Sequence, residues 1–320
     1  MQFYPTQVLF SPTTRCNLGC THCAVIRTNK TLPIAPSLKF LVHCKKIGIN
    51  EIGFTGGEPF LSFKFLLDIT KKAISLNMFF DRISTNAVWW KTEKELKSKL
   101  SKLYKAGYDG SIYISLDAFH KQNLGKVKTF ISAAVKIWNR QDLVAIAYVK
   151  GAKDKDTEKM IKTLAVLLNA KRKKWRNTYC CIQNDFLFVK LLRIELSPIG
   201  KAMNLLNPWN GKWFNEDYCS GPGNVFLVMP SGDIKPCCGY ASDRKELTIG
   251  NIHSNSAKQI LKNAAGNLFV STIFKHGLST IRKRLQDKGI NFPGKTTNHC
   301  FFCDYVLSKI PRKSLTDTLI

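Results

Sequence analysis

Three cysteines within eight positions, Cys16, Cys20 and Cys23 in "RCNLGCTHC", constrain this chain more than any other feature. The run "QVLFSP" at 7–12 ahead of them has the apolar, β-branched character of a strand, so the thiols fall in the loop that leaves it. Three thiolates at this spacing leave a four-iron cluster with one iron that has no protein ligand and is open to a substrate or cofactor. Electron-transfer clusters normally take four cysteines, and structural zinc also takes four ligands. On the cysteines alone zinc stays open, with His22 or the distant Cys44 as a fourth ligand.

Further strand-like runs follow at 51–56 ("EIGFTG"), 82–85 ("RIST"), 111–116 ("SIYISL"), 144–149 ("VAIAYV") and 186–196 ("FLFVKLLRIEL"). Between them lie stretches with helical spacing of apolar residues, such as 63–76 and 92–107, the latter stopped by Gly107. Strand and helix alternating six times predict an α/β fold with a parallel sheet, barrel-like or doubly wound, whose function gathers at the C-terminal ends of the strands. After about residue 205 the chain turns rich in Gly, Pro, Asn and Cys, which predicts a first domain over 1–205 and a smaller second one over 206–320. At 44% hydrophobic residues the chain can bury a large core. No apolar run approaches the ~18 residues of a membrane span, and "MQFYPTQVLF" lacks the basic start of a secretion signal. The expected location is the cytoplasm, where eleven cysteines are explained by metal or redox chemistry and not by disulfides.

The cysteine spacing C-x3-C-x2-C after the first strand resembles the motif of the radical S-adenosylmethionine (radical SAM) superfamily, and further features resemble that family in order along most of the chain. "GGEP" at the end of the second strand, Gly56, Gly57, Glu58 and Pro59, is similar to the family segment that binds the methionine amino group of SAM. Glycines let backbone approach a ligand closely, and a carboxylate suits an ammonium. By the same resemblance Ser84 and Asn86 where the third strand ends, and Ser115 and Asp117 where the fourth ends, would contact the ribose or carboxylate of SAM. As ordinary residues, Ser, Asn and Asp also cap helices and turns. His22 stands where the family often has an aromatic residue, and its planar ring would lie beside the adenine. "LSPIGKA" at 196–202 is similar to the segment that closes many partial barrels of the superfamily. The implied fold is a partial (β/α)6 TIM-like barrel.

The later cysteines point to a branch of the family. Cys219, Cys237 in "GDIKPC", and the C-x2-C pair Cys300 and Cys303 form a second set of four. They could hold one more cluster, or zinc as a ribbon. The set resembles the shortened SPASM domain called Twitch, with one auxiliary cluster, so the resemblance implies two [4Fe-4S] clusters and SAM as cofactors. Of the other cysteines, Cys44 sits in an apolar helix as a small hydrophobe, and Cys180 and Cys181 are needed in neither set. Cys238, beside Cys237, is a spare thiol near the barrel mouth and the candidate catalytic residue.

Family chemistry of this kind begins when an electron cleaves bound SAM to a 5′-deoxyadenosyl radical, which abstracts hydrogen from an unactivated carbon. The pattern "CSGPG" with "GDIKPCC" most resembles radical SAM peptide epimerases, which invert an L-residue to the D-form at its α-carbon. Thioether or carbon–carbon crosslinking of a peptide is the alternative within the same branch. Such enzymes imply an electron donor such as a flavodoxin or ferredoxin. With 49 Lys and Arg against 22 Asp and Glu, a formal charge of +27, the partner should be acidic. An acidic precursor peptide fits, and it would be gripped without a leader-recognition domain, since the cysteine motif begins at residue 16. Nucleic acid fits the charge as well, as the substrate of an RNA-modifying radical SAM enzyme, but no aromatic RNA-recognition motif is visible. The densest basic run, "KRKKWR" at 171–176, is expected at a helix end as a solvated face.

Overall fold

A computed structural model of the chain describes residues 3–151, 153–175, 179–214 and 223–319. Strands and helices alternate from the N-terminus: β1 (Gln7–Phe10), α1 (Ile34–Lys46), β2 (Glu51–Phe54), α2 (Phe63–Ser75), β3 (Phe79–Thr85), α3 (Glu93–Lys105), β4 (Ser111–Ser115), α4 (Leu124–Trp138), β5 (Val144–Lys150) and α5 (Asp154–Leu167). The antiparallel pair β6 (Lys171–Trp175) and β7 (Tyr179–Asn184) precedes β8 (Leu187–Glu195). Then come β9 (Val225–Val228), β10 (Asp233–Lys235), β11 (Gly250–Asn251), α6 (Ala257–Gly266), α7 (Leu268–Asp287), α8 (His299–Lys309) and α9 (Arg312–Leu319).

All described strands belong to one sheet, in the order β11-β10-β9-β1-β2-β3-β4-β5-β8-β7-β6. Its centre, β1 through β5 and then β8, is parallel throughout. This is the expected α/β architecture, with β8 in the sixth parallel place. Side-chain alternation separates the two faces. In β4, Ile112 and Ile114 are fully buried, whereas Tyr113 and Ser115 turn to the cavity described below. The helices cover the apolar face with stripes at helical spacing, such as Leu96, Leu100 and Leu103 of α3. Local chemistry sets their ends: Thr92 caps α3 by accepting from the Glu95 N–H, and Asn139 ends α4 in the left-handed region at φ 47°.

The six runs read as strands coincide with β1 to β5 and β8 within a few residues. Two features differ from expectation. "KRKKW" is not a helix end: α5 stops at Leu167, Asn169 turns at φ 49°, and Lys171–Trp175 pairs with β7 as an edge strand, while Arg176 lies outside the described residues. Its charges carry no apolar period, so only the pairing with β7 reveals a strand. The C-terminal segment also joins the main sheet, because β9 pairs in parallel with β1 along its length, from Gln7 with Val225 to Phe10 with Val228. No helix among the described residues is long and apolar enough to cross a membrane.

Candidate active site

The loop after β1 carries Cys16, Cys20 and Cys23 and lies directly on the turn after β2. Gly57 N–H donates to Thr13 O at 2.9 Å, and Glu58 N–H donates to Arg15 O at 2.8 Å. A Cβ on Gly57 would strike the Arg15 carbonyl and stand 2.6 Å from Thr14 O; one on Gly56 would stand 2.6 Å from Ser11 Oγ. Gly56 also has φ +121°, outside the range of L-residues. The glycines expected to admit a ligand thus first admit the cysteine loop itself. A second support comes from "LSPIGKA", where the Lys201 N–H donates to Cys23 O at 3.2 Å.

The three thiols line a cavity of about 470 Å³ at the C-terminal ends of the parallel strands. Gly56, Gly57, Ser84, Asn86, Ser115, Asp117 and His22 line it too, so the sequence-predicted residues at the C-terminal ends of four strands and in the loops that follow converge. Burial, with Cys16 and Cys23 close by, pushes the Cys20 thiol up to about 11, and burial also raises Cys16. Metal binding here would therefore release protons that Cys16 and Cys20 hold tightly. Three sulfurs on one loop around one open volume fit a cluster that keeps a free iron for SAM. Glu58 and Pro59 do not line this cavity. Both are buried behind it, and the Glu58 carboxylate accepts from Phe60 N–H (3.1 Å), Thr85 Oγ1 (2.9 and 3.0 Å) and Asn86 N–H (2.8 Å). Burial pushes its pKa up to about 7.

Asn86 is likewise held from several sides. Its amide donates to Asn17 Oδ1 at 2.8 Å and stands 3.6 Å from Cys16 Sγ, and its carbonyl accepts from Gln122 Nε2 at 2.7 Å. Asp117, fully buried, accepts from the Phe119, His120 and Val149 N–H groups at 3.0, 3.2 and 3.1 Å and contacts His120 Nδ1 at 2.7 Å. Burial works to raise its pKa, but the His120 hydrogen bond and charge outweigh this and hold it below the ordinary value. The His22 ring packs between Phe119 (centroids 4.9 Å apart) and His120 (4.7 Å). Burial, then His120, lowers its pKa to about 4, so the ring is neutral near pH 7.

A second, apolar cavity of about 50 Å³ is lined by Cys237, Cys300 and Cys303 together with Leu247, Val270, Ile273 and Leu278. The Gly239 backbone packs on two of these sulfurs: a Cβ there would be 3.0 Å from Cys300 Sγ and 3.9 Å from Cys237 Sγ. Thiols converging in an apolar wall fit an iron–sulfur cluster. Cys219, the fourth expected ligand, lies outside the described residues. Cys237 is buried and its neighbour Cys238 is exposed. Cys44 and Cys181 are buried and Cys180 is half-buried, in agreement with packing roles.

Two residues that sequence reasoning passed over stand at the junction. Tyr240 lines the larger cavity, and its phenol, raised by burial, sits in electrostatic reach of Cys300, Asp117, Cys238 and Cys23. His120 also lines that cavity. Its only local signal is the spacing Asp117-x-x-His120, which allows the contact seen here.

Comparison with known proteins agrees with this geometry. Residues 10–171 match the radical SAM superfamily, and residues 219–281 match SPASM, an iron–sulfur cluster-binding domain. YydG of Bacillus subtilis (strain 168), named for peptide biosynthesis, is 22% identical over 314 residues, covering 94% of this chain and 91% of that protein. The PqqA peptide cyclase of Rhizobium meliloti (strain 1021) is 23% identical over 294 residues, covering 80% of this chain and 73% of that protein. Among solved structures, native anSMEcpe with bound AdoMet superimposes with a TM-score of 0.57 at 14% identity, covering 98% of this chain and 96% of that one.

Proposed function

Because this chain belongs to the radical SAM superfamily and holds a [4Fe-4S] cluster with SAM and an auxiliary iron–sulfur cluster, we propose that it modifies a ribosomally made peptide by inverting one residue from L to D. The names of two relatives, a peptide biosynthesis protein and a peptide cyclase, support a peptide substrate. Residues 1–205 form the barrel unit that takes SAM through Cys16, Cys20 and Cys23, and residues 206–320 form the auxiliary unit built on Cys219, Cys237, Cys300 and Cys303. His22, Ser84 and Ser115 border SAM in the larger cavity, and Glu58 acts from behind through Asn86. A flavodoxin or ferredoxin delivers the electron.

When bound, the cluster and SAM supply a carbon-centred radical that takes a hydrogen atom from one α-carbon. Inversion then needs a hydrogen from the opposite face. Cys238 gives it: the S–H bond breaks, the new C–H bond forms, and the thiyl left on sulfur takes a second electron from the same flavodoxin or ferredoxin and a proton from water to restore the thiol. The observation that carries this reading is the opposite surroundings of two adjacent thiols. Cys237 is committed to the apolar cavity with Cys300 and Cys303, and Cys238 is exposed beside Tyr240, which lines the SAM-side cavity.

The test is the reaction in heavy water with a candidate precursor peptide, chosen from any small reading frame that is found beside the gene. One deuterium at the α-carbon of an inverted residue, with no other mass change, is the expected product. Cys238→Ala should still form 5′-deoxyadenosine but yield no inverted peptide. A product lighter by two hydrogens, without deuterium at that carbon, would identify a crosslinking enzyme and remove Cys238 from the donor role.

A further inference from the structure

We infer that the edge strand β6 is the docking strand for an extended, acidic segment of the peptide substrate, which adds to the sheet beside Lys171 and Lys173. The inference rests on the peptide reading above and names the part of the chain that grips the substrate.

The sheet has two ends. One is β11, only two residues long, with Ile260 and Asn255 packed on Gly250. The other is β6, five residues long, which among the described residues pairs with β7 alone. A strand at an edge keeps one row of N–H and C=O groups unpaired by its own sheet, and such rows accept an extended peptide as a further strand.

Register tells which way the β6 side chains face. Leu192 and Ile194 of β8 line the larger cavity, so by alternation Lys190 shares their face. Lys190 pairs with Cys181, and Cys181 pairs with Lys173. Lys173, and Lys171 two residues before it, therefore lie on the face that carries the cavity wall. Arg172 agrees by pointing the other way, where its guanidinium pairs with Glu158 of α5, one contact being 3.2 Å. Lys171, Lys173 and Lys174 are exposed, and among the described residues no acidic side chain pairs with them.

Four consecutive cations on an open edge also keep copies of this chain from pairing edge to edge. The same charges that exclude a second copy complement a strand bearing Asp or Glu. A strand that pairs with β6 extends the sheet from its far edge, with β7 and β6 between it and β8, whose Leu192 and Ile194 line the cavity. An RNA would answer the charge but not the main-chain row, because a phosphate backbone cannot extend a β-ladder.

The probe is a fluorescein-labelled peptide of alternating glutamate and valine, followed by anisotropy and by hydrogen exchange of the intact, cluster-loaded protein. Saturable binding that slows exchange at the amides of residues 171–175 is expected. Lys171→Glu with Lys173→Glu should weaken it by roughly tenfold or more, gain binding of the matching lysine and valine peptide, and leave peptide-free SAM cleavage unchanged. Binding without protection of 171–175, equal binding by the double variant, or a uridine oligonucleotide that protects those amides in place of the peptide would overturn the inference. The two proposals fail separately. A candidate precursor peptide that is inverted while β6 exchanges freely removes the docking strand and leaves the epimerase reading, and one that protects β6 but returns unmodified does the reverse.

Discussion

The Glu58 carboxylate accepts the Asn86 backbone N–H at 2.8 Å, and the Asn86 side-chain amide stands 3.6 Å from Cys16 Sγ. A carboxylate that lines no part of the cavity is thereby tied to the first cysteine of the cluster loop. Glu58→Ala leaves the donors of Phe60, Thr85 and Asn86 buried without their acceptor, at a cost of ~1–3 kcal/mol each. Anaerobic titration should find SAM binding weakened roughly ten- to a hundredfold. Unchanged affinity would free the site from any dependence on Glu58.

The same residue gives a pH signature. Burial raises the Glu58 pKa from an ordinary 4.5 to about 7 in the folded protein. A folded pKa above the unfolded one means the native state binds the proton more tightly, so this stabilisation is full below pH 4.5 and is lost as pH rises through about 7. Melting temperatures of wild type should carry this decline, and Glu58→Gln should lack it. Asp117 has the opposite sign, since its folded pKa lies below the ordinary value. Its contribution is present above that ordinary value and lost as pH falls through the folded one.

Gly57→Ala tests the contact between the two loops. A methyl group would meet two backbone carbonyls, Arg15 O and Thr14 O, and neither can move without shifting the cysteine loop. The variant should retain the auxiliary iron, lose most of the iron of the first site after reconstitution, and form little 5′-deoxyadenosine. Full iron content by elemental analysis would show that the loops adjust.

Iron retention also separates the cysteines. Replacing Cys16, Cys20 and Cys23 together by Ala should reduce reconstituted iron from about eight atoms to about four and abolish SAM cleavage. Cys237→Ala should lose the auxiliary cluster instead. Cys238→Ala should keep all the iron, because its thiol is exposed while Cys237 lines the cavity of Cys300 and Cys303. Loss of iron from the Cys238 variant would exchange the two roles.

What the sequence by itself determined is what neighbours in the chain encode. The C-x3-C-x2-C spacing, the glycines of "GGEP" and the apolar runs of β1 to β5 and β8 depend on residues a few positions apart, and their periods and spacings survive in one dimension. Those features sufficed for the α/β class, and the resemblance they carry to the radical SAM superfamily implied the convergence of Cys16, Gly56, Ser84 and Ser115 on one cavity. Tertiary structure alone decided the rest, because burial and facing are set by partners remote in sequence. Glu58 turns inward since Thr85 and Asn86 offer it donors 27 and 28 residues away. "KRKKW" is a strand since β7 pairs with it, and β9 extends the sheet since β1 has a free side. Cys237 and Cys238 are indistinguishable as letters. They part only because Gly239 and the residues of α7 and α8 build an apolar wall around one of them and leave the other in solvent.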